Sequence, residues 1–268
     1  MNTRRFILAY VFSFFLCAVS VLSGSTFADD KKLPKLRWLG QSFFVLETSQ
    51  GTRIAFDPHA IDAFGRQTTK ADLVLISHPH PDHVRLDVIE NRAQAKVIEG
   101  VKVSGGMAEG GPATRAQWNA VDEKFRDVRI RAVGLYHDMR QGMEKGKTAA
   151  FSVEFDGIKL CHLGDLGHLL SEEQLRQIGP VDVLLIPVGG VYTLNGENAR
   201  RVLAQIKPSR YTLPMHYGTR TFEDVLPVDE FLDGQTNVKK MLNTNELILD
   251  TGPKPTQPTT IVLGWKKE

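Results

Sequence analysis

Hydrophobic positions along the chain fall into short runs separated by Gly, Pro and small polar residues. Leu36 to Leu39, Phe43 to Thr48 and Thr52 to Phe56 are apolar or alternating, with breaks at Gly40 and Ser49 to Gly51, and predict an antiparallel meander. Ala71 to Ser77 (ADLVLIS) is apolar almost throughout, as a strand covered on both faces is, and polar residues follow it before a helix-like stretch near Leu86 to Ala93. Further on, Val128, Ile130 and Ala132 alternate with arginines, and Phe151, Val153 and Phe155 alternate with Ser152 and Glu154. Asp156-Gly157 then predicts a two-residue hairpin turn returning through Ile158 to His162. Val183 to Val188 predicts a second buried strand. Ala199, Val202, Leu203 and Ile206 sit at helical spacing between an Asn195 cap and Pro208, and Tyr211 to Pro214 is the next strand. Strands first, then strand and helix alternating, and then the same again, suit two sheets facing each other with helices outside.

The first 28 residues break this pattern. Arg4 and Arg5 precede an apolar run from Phe6 to Leu22, and Ser23 to Ala28 is mostly small, with Thr26 and Ala28 where a signal peptidase reads. A secretory signal peptide is expected over 1–28, followed by a single domain over 29–268; the alternative is an uncleaved membrane anchor. Leu16 stands where a lipoprotein signal would put a small residue before Cys17. The destination is therefore the periplasm or the exterior. Of 268 residues, 33 are Lys or Arg and 31 Asp or Glu, and the leader holds two of the positive charges and none of the negative, so the remainder is balanced. A balanced chain with no basic arm predicts no nucleic-acid partner. Of two cysteines only Cys161 lies outside the leader, which excludes an intramolecular disulfide there and places a core thiol mid-strand.

The informative stretch is Ser77 to His83, SHPHPDH, directly after a buried strand. It offers His78, His80, Asp82 and His83 as ligands for zinc or a related metal. Alternation points His78 and His80 the same way, and Pro79 and Pro81 stiffen the loop that holds them.

HxHxDH after a buried strand resembles the metallo-β-lactamase superfamily. The rest of that family's pattern is filled in order: His137 after Gly134-Leu135-Tyr136, Asp165 within His162-Leu163-Gly164-Asp165-Leu166-Gly167, and His216 after Leu213-Pro214-Met215. Trp38-Leu39-Gly40, Asp57-Pro58, Gly189-Gly190 with Tyr192-Thr193, and Met215 to Thr219 look most like the branch of simple metal-dependent hydrolases that includes ascorbate-phosphate lactonases and N-acyl phosphatidylethanolamine phospholipase D. The resemblance spans residues 35 to 220 and departs at Gln41, where many members carry His. It implies an α/β fold, a four-layer αβ/βα sandwich. It also implies two divalent ions, zinc with manganese or iron as alternatives: His78, His80 and His137 on one, Asp82, His83 and His216 on the other, and Asp165 bridging. Water shared by such ions ionises near neutral pH and becomes the nucleophile, so no Ser or Cys nucleophile is required. The implied reaction is hydrolysis of an ester, lactone, amide or phosphodiester in a small or lipid-derived substrate.

Asp82 and Asp165 then count as catalytic, and His168 is expected either as an acid or oxyanion donor or as a solvated loop residue. His162 is expected in the core, and His59 is read as lining the cleft or packing behind it. Asp57 orients the ligand loop or simply forms a turn. Asp138 accepts a ligand's free N–H or faces water, and Gly189-Gly190 admits substrate or turns the chain. Specificity is assigned to Ala60 to Lys70, Gly105 to Ala113 and Asp138 to Lys147. Competing readings on the same fold are a mononuclear-iron persulfide dioxygenase or flavodiiron type, and a β-lactamase, although Asp165 stands where many of those use Cys. A metal count per chain separates one iron from two hydrolytic ions. For the leader, N-terminal sequencing of exported protein is expected to begin at Asp29. Recovery of chains with an intact N-terminus in the membrane fraction would mark an anchor instead.

Overall fold

A computed structural model describes residues 32–103 and 116–266. The expected signal peptide and the Gly105 to Ala113 loop lie outside the described residues. Six strands form the first sheet, in the order β15-β1-β2-β3-β4-β5: β1 (Lys35–Trp38), β2 (Phe44–Glu47), β3 (Arg53–Phe56), β4 (Leu73–Ile76), β5 (Lys96–Glu99) and β15 (Glu246–Ile248). Along these strands successive side chains face opposite ways. Phe44, Leu46, Ile54, Phe56, Leu73 and Leu75 enter the main core, whereas Val45, Ala55, Val74 and Ile76 enter a smaller cluster with Val88 and Ile89. Both faces are thus covered, which is why β4 reads as an unbroken apolar run.

A ribbon of β6 (Val101–Val103) and β7 (Ala116–Trp118) leads to the second sheet. This sheet has eight strands, ordered β14-β16-β13-β12-β11-β10-β9-β8, with β8 (Asp122–Phe125), β9 (Val128–Tyr136), β10 (Lys147–Phe155), β11 (Ile158–His162), β12 (Val183–Pro187), β13 (Tyr211–Met215), β14 (Val238–Met241) and β16 (Thr259–Leu263). Ile130, Val153, Leu160 and Leu185 from it share the main core with the inner face of the first sheet. Asp156 and Gly157 turn β10 into β11 with φ of 46° and 75°, the left-handed pair that a two-residue hairpin demands. The Asp156 carboxylate also accepts the Ser49 N–H at 2.8 Å, tying this turn to the one between β2 and β3.

Helices α1 (Glu172–Ile178) and α2 (Gly196–Ile206) cross between the parallel strands β11, β12 and β13. Asn195 caps α2 as expected, accepting the Asn198 N–H at 3.0 Å. Ser171 and Gln174 form a reciprocal capping box on α1, a signal legible in the sequence that the periodicity alone did not expose. A four-residue helix, α3 (Asp229–Leu232), packs against α2. The helix expected near Leu86 to Ala93 is a correction: only a 3₁₀ turn at Leu86–Val88 forms. Backbone bonds from Thr69 N to Val88 O and from Glu90 N to Thr69 O draw this segment alongside residue 69, and the Asn91 side chain bonds both Ala71 N and Ala71 O. Those contacts outcompete a helix too short to sustain itself.

Strand direction places the site. Strands β9, β11, β12 and β13 all run the same way, because β10 is antiparallel to both its neighbours and the rest are parallel. Their C-terminal ends release His137, Asp165, Gly189 and His216 at one edge of the second sheet, while parallel β3 and β4 release Asp57 and His78 from the first. Beyond the expected pattern, the C-terminal segment alternates between sheets: β14 in the second, β15 in the first, β16 in the second. Replacing Phe44, which is 1% exposed, by Ala is expected to cost about 3–5 kcal/mol in urea unfolding. Replacing Ile248, 44% exposed on β15, is expected to stay within about 0.5 kcal/mol.

Candidate metal centre

The loop after β4 is anchored before it supplies any ligand. Asp57, fully buried and held at φ 44°, accepts both the N–H and the hydroxyl of Ser77 at 2.6 Å. With its proton given to Asp57, the Ser77 oxygen accepts from His78 Nδ1 at 2.9 Å and leaves His78 Nε2 as a lone-pair donor facing inward. Asp57 Oδ2 also lies 3.0 Å from His83 Nδ1, on the outer side of that ring. The polar loop then doubles back, His83 N–H donating to His80 O at 3.0 Å.

Asp165 is the point on which the ring nitrogens converge. Its Oδ2 lies 3.1 Å from His216 Nε2, 3.2 Å from His137 Nε2, 3.3 Å from His83 Nε2 and 3.9 Å from His78 Nε2. His80 Nδ1 is 2.9 Å from His78 Nε2, and Asp82 Oδ2 is 3.3 Å from His83 Nε2. Gly164, at φ 53°, makes the approach of Asp165 feasible, since a Cβ there would stand 2.6 Å from Thr148 Oγ1 and 2.8 Å from Ser77 Cβ. Three ligand sets result, each with its atoms mutually within 4.8 Å: His78, His80 and His137; His78, His83 and Asp165; Asp82, His83 and His216.

This donor set fits divalent metal. Two ligands each about 2.0–2.1 Å from a tetrahedral ion stand roughly 3.3–3.4 Å apart, and the separations here, from 2.9 to 3.9 Å, bracket that spacing. His83 Nε2 is buried with no hydrogen-bond partner among the described residues, between two carboxylates. Burial alone would raise the Asp165 carboxyl, yet His216 and His83 hold it well below its ordinary value, so it stays an anion in the interior. Burial likewise opposes ionisation of Asp82, and His83 overcomes it. Burial lowers His78 and brings His80 to about 4, keeping both rings neutral and their lone pairs free. Burial would lower His83 too, but Asp165, Asp82 and Asp57 raise it. Buried anions beside the neutral rings of His78 and His80, with a positive charge favoured at His83, are what a cation site requires.

The structure separates the eight histidines of the chain cleanly. Five converge on Asp165 or its neighbours; the other three bond backbone with both ring nitrogens. His162 accepts the Gly164 N–H at 3.1 Å, donates to Ser42 O at 3.0 Å and stacks on Phe56, in the core as expected. His59 accepts from Ile61 N at 3.1 Å and donates to Gly40 O at 3.0 Å, so it packs behind the cleft. His168 corrects its expected catalytic role. Tyr136 N–H donates to its Nε2 at 3.1 Å and its Nδ1 donates to Leu169 O at 2.7 Å, which leaves no ring N–H for a substrate and instead braces the strand end that carries His137. Asp138 does neither of the things expected of it: its carboxylate accepts backbone N–H groups of Arg140, Gly142, Glu144 and Lys145 and shapes that loop. Gly189 serves the chain, a Cβ there falling 2.1 Å from His216 O. Cys161 is buried, its thiol pushed up to about 12 by burial.

Above the cluster lies a cleft of about 410 Å³, walled in part by Glu144 and Lys145 from the Asp138 to Lys147 loop assigned to specificity, and by Tyr192 beside the Gly189-Gly190 pair. Lys145 Nζ donates to Val191 O at 2.6 Å and Tyr192 O at 3.1 Å, joining two loops across the opening. A larger hollow of about 570 Å³ beside Thr52, Lys124 and Arg126 contains none of the ligand sets.

Comparison with known proteins agrees with this geometry. Residues 35–216 match the family model described as the beta-lactamase superfamily domain. A metal-dependent hydrolase of Thermococcus onnurineus is 31% identical over 194 residues, covering 69% of this chain and 85% of that one. One from Carboxydothermus hydrogenoformans is 29% identical over 197 residues, with the same shares. A Thermotoga maritima structure, described as a Zn-dependent hydrolase of the metallo-beta-lactamase superfamily, superposes with a TM-score of 0.63 at 30% identity, over 86% of this chain and 99% of that one. A metallo hydrolase of Ignicoccus hospitalis gives 0.50 at 25% identity, over 71% and 85%.

Asp57 touches two ligand systems without being a ligand itself. Asp57→Asn is expected to weaken metal binding by about 10–100-fold, read by competition with a chromophoric chelator. An unchanged affinity would reduce Asp57 to a turn former.

Proposed function

The chain belongs to the beta-lactamase superfamily, as one of its metal-dependent hydrolases, and from that premise we propose an exported enzyme that cleaves an ester, lactone, amide or phosphodiester bond in a small or lipid-derived substrate with two divalent ions, zinc foremost. The convergence of four imidazole Nε2 atoms on the single buried oxygen Asp165 Oδ2 carries this reading. His78, His80 and His137 would hold one ion, Asp82, His83 and His216 the other, with Asp165 shared between them. Bound there, such ions bring the pKa of water from about 15.7 to about 7 and polarise the scissile carbonyl or phosphoryl oxygen.

The chain's own residues do the rest. Asp57, directly and through Ser77, fixes the orientation of His83 and His78. Asp82 lines the cleft. Its Oδ2 faces His83, so Oδ1 is the atom that takes a proton from attacking water and returns it to the leaving group. Lys145 has three ammonium donors, two of them spent on carbonyls, and the third is offered to a substrate oxygen. Export is supported by the basic, apolar and small-residue zones of the first 28 residues. Among the described residues no helix is long and apolar enough to cross a membrane, so membrane attachment would depend on an uncleaved leader.

The test is a panel of lactones, phosphodiesters, acyl amides and β-lactams offered to zinc- and manganese-loaded protein. At least one class is expected to turn over. His80→Ala and Asp165→Ala should each lose more activity than the ~10–100-fold that an outer partner costs, together with bound metal. Full turnover by metal-stripped protein would overturn the reading, and oxygen uptake with a single iron per chain would move it to the oxidative class.

A further inference from the structure

Gln41 is a polar side chain at the cluster that the proposed ligand set leaves out, and unlike Ser42, Ser77 and Asp57 it reaches both Asp82 and His216. It is 2% exposed and sits at φ 47° in the turn after Gly40. That turn is immobilised from several sides. The Gln41 carbonyl accepts the Trp38 indole N–H at 2.9 Å and the His216 N–H at 3.1 Å. His59 holds Gly40 O from behind, and the Phe64 ring fills the space where a Gly40 Cβ would stand, its nearest carbon 2.4 Å from that point. A fixed backbone aims the side chain inward. Its Nε2 lies 2.8 Å from His216 Nε2 and 3.2 Å from Asp82 Oδ2.

Those separations match the spacing within the ligand set itself, 3.3 Å between His83 and Asp82 and 3.1 Å between His216 and Asp165. The inward amide atom thus occupies a ligand position of the cluster. Oε1, the outward atom, is buried and finds no donor among the described residues, so none of them locks the carbonyl outward. A half-turn about the terminal side-chain bond, a soft two-fold torsion, exchanges the two atoms. With no cation present, an inward amino group suits the lone pairs of Asp82 and His216. A cation drawing on those same lone pairs repels the amino group and attracts the carbonyl.

We propose that Gln41 is a further ligand of the ion held by Asp82, His83 and His216, turning Oε1 into the cluster when that ion enters. The inference rests on the two-ion reading above. An amide oxygen is a neutral, hard donor, so this position becomes richer in oxygen than the all-imidazole set of His78, His80 and His137. Oxygen ligands favour manganese where imidazoles favour zinc. The two positions are therefore inequivalent, and the one at Gln41 is the more receptive to Mn²⁺.

The experiment is calorimetric titration of metal-stripped full-length protein with Zn²⁺ and Mn²⁺, with electron paramagnetic resonance of the bound Mn²⁺. It compares wild type with Gln41→Ala, Gln41→Asn and Gln41→Glu. Asn tolerates the left-handed backbone and keeps an amide, one methylene too short to reach. Ala and Asn are expected to leave the tighter ion untouched and to weaken the other at least about tenfold, more for Mn²⁺ than for Zn²⁺, with a changed Mn²⁺ spectrum. Glu, a charged oxygen donor, is expected to bind that ion at least as tightly as wild type. Equal second-ion affinity across the four proteins overturns the proposal, and so does tighter binding in Gln41→Ala, which would make the amide an obstruction. If Ala and Asn fail to fold, Glu alone decides, weaker binding of the second ion counting against it. Wild type taking up no second ion would instead overturn the two-ion reading, and this inference with it, before any variant is compared.

Discussion

An ionised carboxylate in the interior governs this structure. Asp165 is 2% exposed, and a lone anion there would be costly enough to protonate or to drag water in. It stays charged because imidazoles from three other strand ends meet it. Seen from Asp165, the fold is a way of bringing the ends of β4, β9 and β13 to one oxygen, and the two sheets must hold their relative position to within a fraction of an ångström for those contacts to exist. Core packing and site geometry are therefore one constraint.

The support behind the ligands follows from the same demand. Asp57 is a second buried carboxylate, met by Ser77 and His83, and it passes the order of β3 to the loop after β4. His168 does the equivalent for β9, and His59 for the turn that presents Gln41. Non-glycine residues with positive φ recur here, at Gln41, Asp57, Val191 and His216. Such backbones are tolerated where surrounding bonds over-determine them, and they are commonly found at functional sites. The scaffold holds these residues in place so that the ligands meet without searching.

Much of this was legible in the sequence because it is local. A strand buried on both faces announces itself at Leu73 to Ile76, the turn at Asp156-Gly157 has one chemistry, and the ligand-dense loop after β4 cannot be mistaken for ordinary surface. His137, Asp165 and His216 were found through resemblance, since nothing in their own neighbourhoods sets them apart from His168. What separates them is whether the ring nitrogens meet backbone or one another, a tertiary fact. The same holds for the short helix expected at Leu86, lost to pairing with Thr69, and for Asp138, whose loop could not be foreseen from charge alone. Strand β16 went unread because the Pro- and Thr-rich sequence from Pro253 to Thr260 runs into it, and β14 (VKKM) and β15 (ELI) because they are short and partly charged.

The alternation of the last strands between the two sheets has a consequence for the order of assembly. Lys35, at the first strand, pairs with Ile248, and β16 fills the place between β13 and β14. Each sheet lacks one edge while the C-terminal segment is still missing, even though every proposed ligand has already been made by His216. Contacts so distant along the chain delay folding. The last long-range pairings of both sheets are therefore completed only once the whole length of the chain is available, after all the strands that carry the cluster have been made.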